Sequence, residues 1–316
     1  MTKSNIPLLE VDEARITIIM DNTVDLLMGD SKVAHRFDLS ANRLFPIAEH
    51  GFSALIQVTC GDKKGTVLLD AGISANGILH NIDALGVNLQ DIQAVILSHG
   101  HSDHTLGLPG LIGRLGSQKF SLVFHPDAYL EKKLVMPGGY EFSVSPPKIA
   151  DLRQENITFM EKKDPTLLID DMILVTGEID RTTEFEKGLP IHYTKRTGDW
   201  EPDHLIKDDQ CVVLNVQGKG LVIITGCGHS GIINTIRYAQ ALTNVRQVYA
   251  VLGGFHLTGG IFEKIIPATV AELQKINPAY LMPGHCTGWS AIHQIASAMP
   301  EAFIPNNVCT TLVLKS

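Results

Sequence analysis

Residues 98–107 read SHGHSDHTLG, with three histidines and an aspartate inside six positions, directly after the apolar run AVIL. Imidazole nitrogen and carboxylate oxygen are donors suited to zinc, manganese and iron. In an extended segment, side chains two apart point the same way, so His99 and His101 can grip one ion together. His104 breaks that period. If the chain turns helical there, Asp103 and His104 swing toward a second ion. The spacing therefore favours two neighbouring sites over four ligands crowded around one. A pair of divalent ions a few ångströms apart can hold a shared water as hydroxide near neutral pH and polarise the electrophile it attacks. The chemistry implied is metal-assisted hydrolysis.

Such a constellation needs elements that bring distant residues together. TVLLDAG (66–72), AVILSHGH (94–101), LVIITGCGHSG (221–231), VYAVLGGFHL (248–257) and AYLMPGHCTG (279–288) share one shape, a β-rich apolar run ending in a polar side chain beside glycine. Short apolar runs bounded by Gly, Pro or Ser fit strands buried on both faces. Helical stretches follow at 76–85, 231–241 and 261–275, and the alternation predicts an α/β fold. Side chains just past the strand ends gather along one rim of such a sheet. Asp70, His99, Cys227, His229, His256 and His285 are all expected there. Asp70 and His99 stand 29 residues apart, as do Cys227 and His256. That weak repeat hints at two similar halves, with Cys227 the counterpart of Asp70 and His256 of His99.

Between His125 and Gln210 charged clusters alternate with Pro and Gly. We read about 126–208 as a lid-like insertion over the rim of a single domain spanning 1–316, with some strand near 172–175. Within it, Lys195, Arg196 and Trp200 of YTKRTGDW could close over a phosphate or an aromatic ring, exposed surface being the plainer reading. The glycine-rich turn at 226–231 could likewise offer amides to an anion, or simply reverse the chain.

Composition narrows the function classes. The 316 residues are 44% hydrophobic and 19% charged, as in a soluble globular protein. Cys60, Cys211, Cys227, Cys286 and Cys309 are odd in number, widely spaced and form no CxxC pair, so a reduced cytoplasm is expected. Acidic residues ahead of the first apolar run are unlike a secretory leader, and no run reaches membrane-span length. A formal charge of −8 and the lack of a basic run disfavour nucleic acid as partner. The expected partner is a small molecule; the oligomeric state stays open, a homodimer being one option.

The HxHxDH signature after a buried strand, with Asp70 in LLDAG upstream and His285 in PGH downstream, resembles the metallo-β-lactamase superfamily. VDEARITIIMDNTVD (11–25), AEHGFSALI (48–56), KDDQCVVL (207–214) and TGCGHSGIINT (225–235) are similar to the branch named after an archaeal 7,8-dihydropterin-6-methyl-4-(ribofuranosyl)aminobenzene-phosphate synthase. The resemblance implies a four-layered αββα sandwich with two divalent ions at one edge, zinc first, manganese or iron as alternatives. It implies His99 and His101 as ligands of the first ion, Asp103 and His104 as the second pair, His285 completing the second site, and Asp70 orienting a ligand. The departure is TGCGH, where many relatives carry a metal-bridging aspartate. Cys227 falls on that position with His229 two residues beyond, and no third-motif histidine stands near TGEIDRT (176–182). His229 is favoured as the missing ligand. Cys227 is then a bridging thiolate or a buried thiol beside the site.

His256 is read as a substrate contact or general acid, and the resemblance places His50 at the pocket. Asp103 and Asp70 are the other candidate catalytic residues. His35, His80, His125, His192, His204 and His293 read as loop or helix-surface residues. The expected function is hydrolysis of a phosphoester or phosphodiester. The resemblance also implies transfer from a dihydropterin pyrophosphate to an aromatic acceptor. An iron-dependent oxidoreductase acting on a sulfur substrate is the rival of another class.

Overall fold

Apolar side chains on both faces of a strand demand cover on both sides. In the strands Cys211–Val216 and Gly220–Thr225 every residue is buried. Along the second of them, Val222 and Ile224 face one core while Leu221 and Ile223 face another. The computed structural model, which describes residues 5–40 and 44–316, meets that demand with two sheets packed face to face. One runs Ile157–Glu161, Phe120–Phe124, Ala94–Ile96, Lys63–Leu69, Ser53–Cys60, Glu13–Met20, Thr311–Lys315 and Ala34–His35. The other runs Thr166–Leu168, Ile173–Val175, Cys211–Val216, Gly220–Thr225, Val248–Gly254 and Tyr280–Gly284, with Glu10–Val11 also pairing to Cys211–Val216.

Ile16, Phe52, Ile56, Val212, Leu214 and Leu252 fill the space between the sheets. Helices Ala75–Leu85 and Leu108–Leu115 cover the outer face of the first sheet through Ile78, Ile82, Leu108 and Leu111. Helices Ile232–Thr243, Ile266–Ile276 and Trp289–Ala298 cover the second through Ile232, Ile236, Ile266, Leu273 and Ile295. The result is the four-layered αββα sandwich. No helix among the described residues is long and apolar enough to cross a membrane.

The 29-residue spacing reflects a repeated unit. In one half an antiparallel hairpin, Ser53–Cys60 with Lys63–Leu69, is followed by a helix, the parallel strand Ala94–Ile96, a further helix and the parallel strand Phe120–Phe124. In the other half Cys211–Val216 and Gly220–Thr225 form the hairpin, and Val248–Gly254 and Tyr280–Gly284 are the parallel strands. Asp70 and Cys227 follow equivalent strands, as do His99 and His256.

The span read as one insertion is divided. Ile157–Glu161 pairs with Phe120–Phe124, and Thr166–Leu168 and Ile173–Val175 join the second sheet. Their side chains explain why: Ile157, Leu168, Ile173, Leu174 and Val175 are buried in the cores. The flanking pieces Lys132–Val135, Glu141–Ser143, His192–Arg196 and Asp199–Pro202 make a separate four-stranded sheet.

That small sheet is tied to the histidine loop by a buried ion pair. Lys132 is fully buried; its Nζ donates to the Asp127 carbonyl at 2.7 Å and lies 3.2 Å from Asp208 Oδ2. The same Asp208 oxygen accepts the Gly100 N–H at 2.8 Å. Gly100 is obligatory on steric grounds, since a Cβ there would lie 1.8 Å from the Ala128 carbonyl oxygen. Burial pushes the Asp208 carboxyl up, but the Lys132 ammonium outweighs it and holds it at about 2. Asp208 is therefore charged, and removing its partner leaves a buried anion. Lys132→Met is expected to cost about 3–5 kcal/mol of stability in urea unfolding, part of which Lys132→Met with Asp208→Asn should restore. A single variant as stable as the parent would mean the pair supports nothing.

Candidate metal centre

Asp70 occupies a left-handed backbone conformation (φ 59°) just past its strand. Its Oδ1 accepts the Ser98 N–H at 2.7 Å; Oδ2 accepts the Ser98 hydroxyl at 2.6 Å and lies 2.7 Å from His104 Nδ1. A carboxylate accepts only, so His104 carries its hydrogen on Nδ1 and turns a bare Nε2 inward. That Nε2 lies 3.2 Å from Cys227 Sγ, 3.2 Å from His285 Nε2 and 3.7 Å from Asp103 Oδ2, and His285 Nε2 is 3.2 Å from the same oxygen. A tetrahedral zinc site with ordinary Zn–N, Zn–O and Zn–S bonds has donor-to-donor edges of about 3.3–3.7 Å. These four side chains fit one.

His285 is aimed from behind in the same manner. It too has a left-handed backbone (φ 49°), and its N–H donates to Asp21 Oδ1 at 3.0 Å. Its Nδ1 lies 3.4 Å from Asn22 Oδ1, and Asn22 Nδ2 donates to its carbonyl at 3.0 Å. These contacts give the MDN stretch of the first long strand its place in the site.

His99, Cys227 and His229 form a second group, their donor atoms all within 4.8 Å of one another. The Ser98 hydroxyl, already donating to Asp70, can only accept from His99 Nδ1 at 2.9 Å. His99 Nε2 is left buried with no partner, as is His229 Nδ1. An orphaned lone pair is costly in a protein interior and suits a cation. His101 adjoins the group, its Nδ1 3.2 Å from His229 Nε2. Cys227 belongs to both groups, and His229 stands beside it, so the structure brings together both candidates that the TGCGH stretch left open. His256 (φ 44°) stacks on His229 with ring centroids 4.1 Å apart. It also makes a third group with Cys227 and Cys286.

Burial holds His99, His101 and His229 well below the usual histidine range, helped in turn by the charges of His104, His192 and His256. They are neutral donors. Around Asp103 the balance reverses. Burial pushes its carboxyl up but is outweighed by His104 and His285, which hold it well down. Burial lowers His285, but Cys286 and Asp103 outweigh it and raise it to about 9. Burial pushes the Cys227 thiol well up.

A cavity of about 870 Å³ opens beside His285, its wall including His50, Asn22, Asn306, Trp289 and Phe303. His50 is 66% exposed at its mouth, with Nε2 3.5 Å from Asp103 Oδ2 and its ring 5.2 Å from that of His285. His256 faces a smaller pocket of about 200 Å³, with Phe255 and Phe262.

Three expectations need correction. Lys195 and Arg196 line neither pocket: Lys195 pairs with Glu131 at 3.2 Å and Arg196 with Asp127 at 2.7 Å, where carboxylates of the small sheet and its flanks compensate them. The turn at 226–231 offers no amides to a phosphate, because Glu186 already accepts the N–H groups of Ile233 and Asn234, each at 2.9 Å. His125 and His192, read as surface residues, are buried. His192 Nε2 lies 3.0 Å from His101 Nε2. Asp21, Asn22, Ser98, Lys132, Asp208 and His192 went unassigned because each acts through a neighbour distant in sequence. The carboxylates in MDN and KDD were the one visible signal.

A family model described as the metallo-beta-lactamase superfamily matches residues 47–242. The 7,8-dihydropterin-6-methyl-4-(β-D-ribofuranosyl)-aminobenzene-5'-phosphate synthase of Methanocaldococcus jannaschii is 30% identical over 81% of this chain and 87% of its own. An uncharacterized protein of the same organism is 31% identical over 79% of this chain and 88% of its own. A solved structure described as a metal-dependent hydrolase of the beta-lactamase superfamily superposes with a TM-score of 0.71 at 23% identity, covering 96% of this chain and all of the other.

Metal uptake should displace protons, because ligands must be deprotonated. His285 keeps its proton up to about pH 9 and the Cys227 thiol is pushed up, so zinc added at pH 7 should release protons. Apparent affinity should rise with pH until about 9 and fall as pH drops. Calorimetry in buffers of different ionisation enthalpy measures this; uptake without proton release would contradict the protonation assigned to His285 and Cys227.

Proposed function

This chain belongs to the metallo-beta-lactamase superfamily, and from that premise we propose a two-metal enzyme that cleaves a phosphoester or phosphodiester of a small molecule with water as acceptor. The observation that carries this reading is the position of Cys227, common to the His99/His229 group and to the Asp103/His104/His285 group. Divalent ions held by these groups, zinc first and manganese or iron next, would supply the charge that activates water and stabilises the developing phosphoryl charge. The chain's residues do the rest. Asp70 keeps the His104 hydrogen on the far ring nitrogen. His50, at the mouth, is placed to hand a proton to the leaving oxygen. No Lys or Arg lines the 870 Å³ cavity, so the protein itself provides no cationic clamp for the phosphate. All five cysteines are unpaired, which supports a reducing compartment, the cytoplasm.

A second reading, transfer to an aromatic acceptor in place of water, is favoured by the cavity wall. Trp289 and Phe303 beside the amides of Asn22, Asn306 and Asn307 suit a flat heteroaromatic body with a hydrogen-bonding edge. The 30% identity to the dihydropterin synthase supports the same reading.

One set of assays separates the two. Metal-loaded enzyme is given a phosphodiester, and separately a dihydropterin pyrophosphate with and without 4-(β-D-ribofuranosyl)aminobenzene 5'-phosphate. Hydrolysis without acceptor supports the first reading; a coupled product only with acceptor supports the second. Under either, His101→Ala and Cys227→Ala should lower kcat/KM on the order of a thousandfold. One iron per chain with oxygen consumption would overturn both.

A further inference from the structure

We propose that His192, carried by the small sheet, is a positioning residue that fixes the tautomer of His101 and so decides which nitrogen His101 presents to the metal centre. The two residues are 91 positions apart, both buried, with ring centroids 5.0 Å apart. His192 Nδ1 lies 3.0 Å from the Asp203 carbonyl oxygen. A carbonyl offers only lone pairs, so Nδ1 carries the hydrogen and Nε2 is bare. That bare Nε2 lies 3.0 Å from His101 Nε2, which must then carry the hydrogen of the pair. His101 is left with a bare Nδ1, the atom that stands 3.2 Å from His229 Nε2. The relay runs from a backbone carbonyl through two imidazoles into the candidate site, as outer partners of ligating histidines do elsewhere. Its anchor is itself braced: Thr194 Oγ1 donates to Asp203 Oδ2 at 2.7 Å. On this view the small sheet is a brace behind the HGH loop instead of a lid over it.

The inference rests on the metal-centre reading, and the test keeps the two apart. Ring-nitrogen NMR of ¹⁵N-histidine-labelled protein is recorded metal-free and zinc-loaded, with zinc affinity measured by chelator competition, for the parent, His192→Phe and His192→Gln. Metal-free parent should hold His101 as the Nε2–H tautomer. His192→Phe should scramble it and weaken zinc about tenfold to a hundredfold. The glutamine carbonyl can accept the same hydrogen, so His192→Gln should recover most of the affinity. Nδ1–H on His101 in the parent, unchanged zinc affinity in His192→Phe, or His192 Nε2 itself ligating zinc would each overturn the inference. A parent that binds no divalent ion would sink the proposed function instead, while the metal-free spectrum would still decide the tautomer.

Discussion

Two hydrogens on one carboxylate organise the candidate centre. Asp70 takes the Nδ1 hydrogen of His104 and the hydroxyl hydrogen of Ser98 on the same oxygen, and the occupied hydroxyl in turn takes the hydrogen of His99. Through those bonds Asp70 turns His99 Nε2 and His104 Nε2 inward, one toward each donor group. Imidazole has two nitrogens and an arbitrary tautomer until something on the far side chooses. Asp70 chooses for two of them, from a strand end whose left-handed backbone points the carboxylate back under the loop.

The two halves of the molecule put the same architectural position to different chemical use. Asp70 and Cys227 follow equivalent strands of equivalent hairpins. In the first half the residue lies outside the donor ring and orients it; in the second it lies inside and is common to both groups. A single-atom donor with a short stem suits the inner place, where the Cα must sit close to both groups. Gly254 shows how tight that corner is: a Cβ there would meet the Gly226 carbonyl oxygen at 2.4 Å and the Cys286 sulfur at 2.7 Å.

Charge is distributed in a similar two-sided way. Behind the HGH loop lies the Lys132–Asp208 pair, and at the helix N-terminus Glu186 fills the place an anion could take. In front, the cavity carries Asp21, Asp25 and Glu263 but no Lys or Arg. A phosphorylated substrate would therefore meet positive charge at the metal centre and not on the walls, which confines attraction to the place where bonds would break.

Much of the layered architecture is legible in the chain because apolar period and glycine punctuation are local properties. The runs ending at Asp70, His99, Cys227, His256 and His285 mark five strand ends, and the HxHxDH spacing alone separates two pairs of donors. The matched 29-residue spacings reported the repeated hairpin-and-helix unit correctly. Three-dimensional packing decided the rest. Residues 157–175 join the main sheets because their buried side chains find partners there, which no local pattern reveals. Lys195 and Arg196 are compensated by Glu131 and Asp127, carboxylates far away in sequence. His192 reads as an ordinary surface histidine until the small sheet folds it against His101. Sequence determines which donor atoms exist and roughly where strands deliver them. The hydrogen bonds that orient those atoms link residues tens to hundreds of positions apart, so only the tertiary structure decides which nitrogen faces the centre.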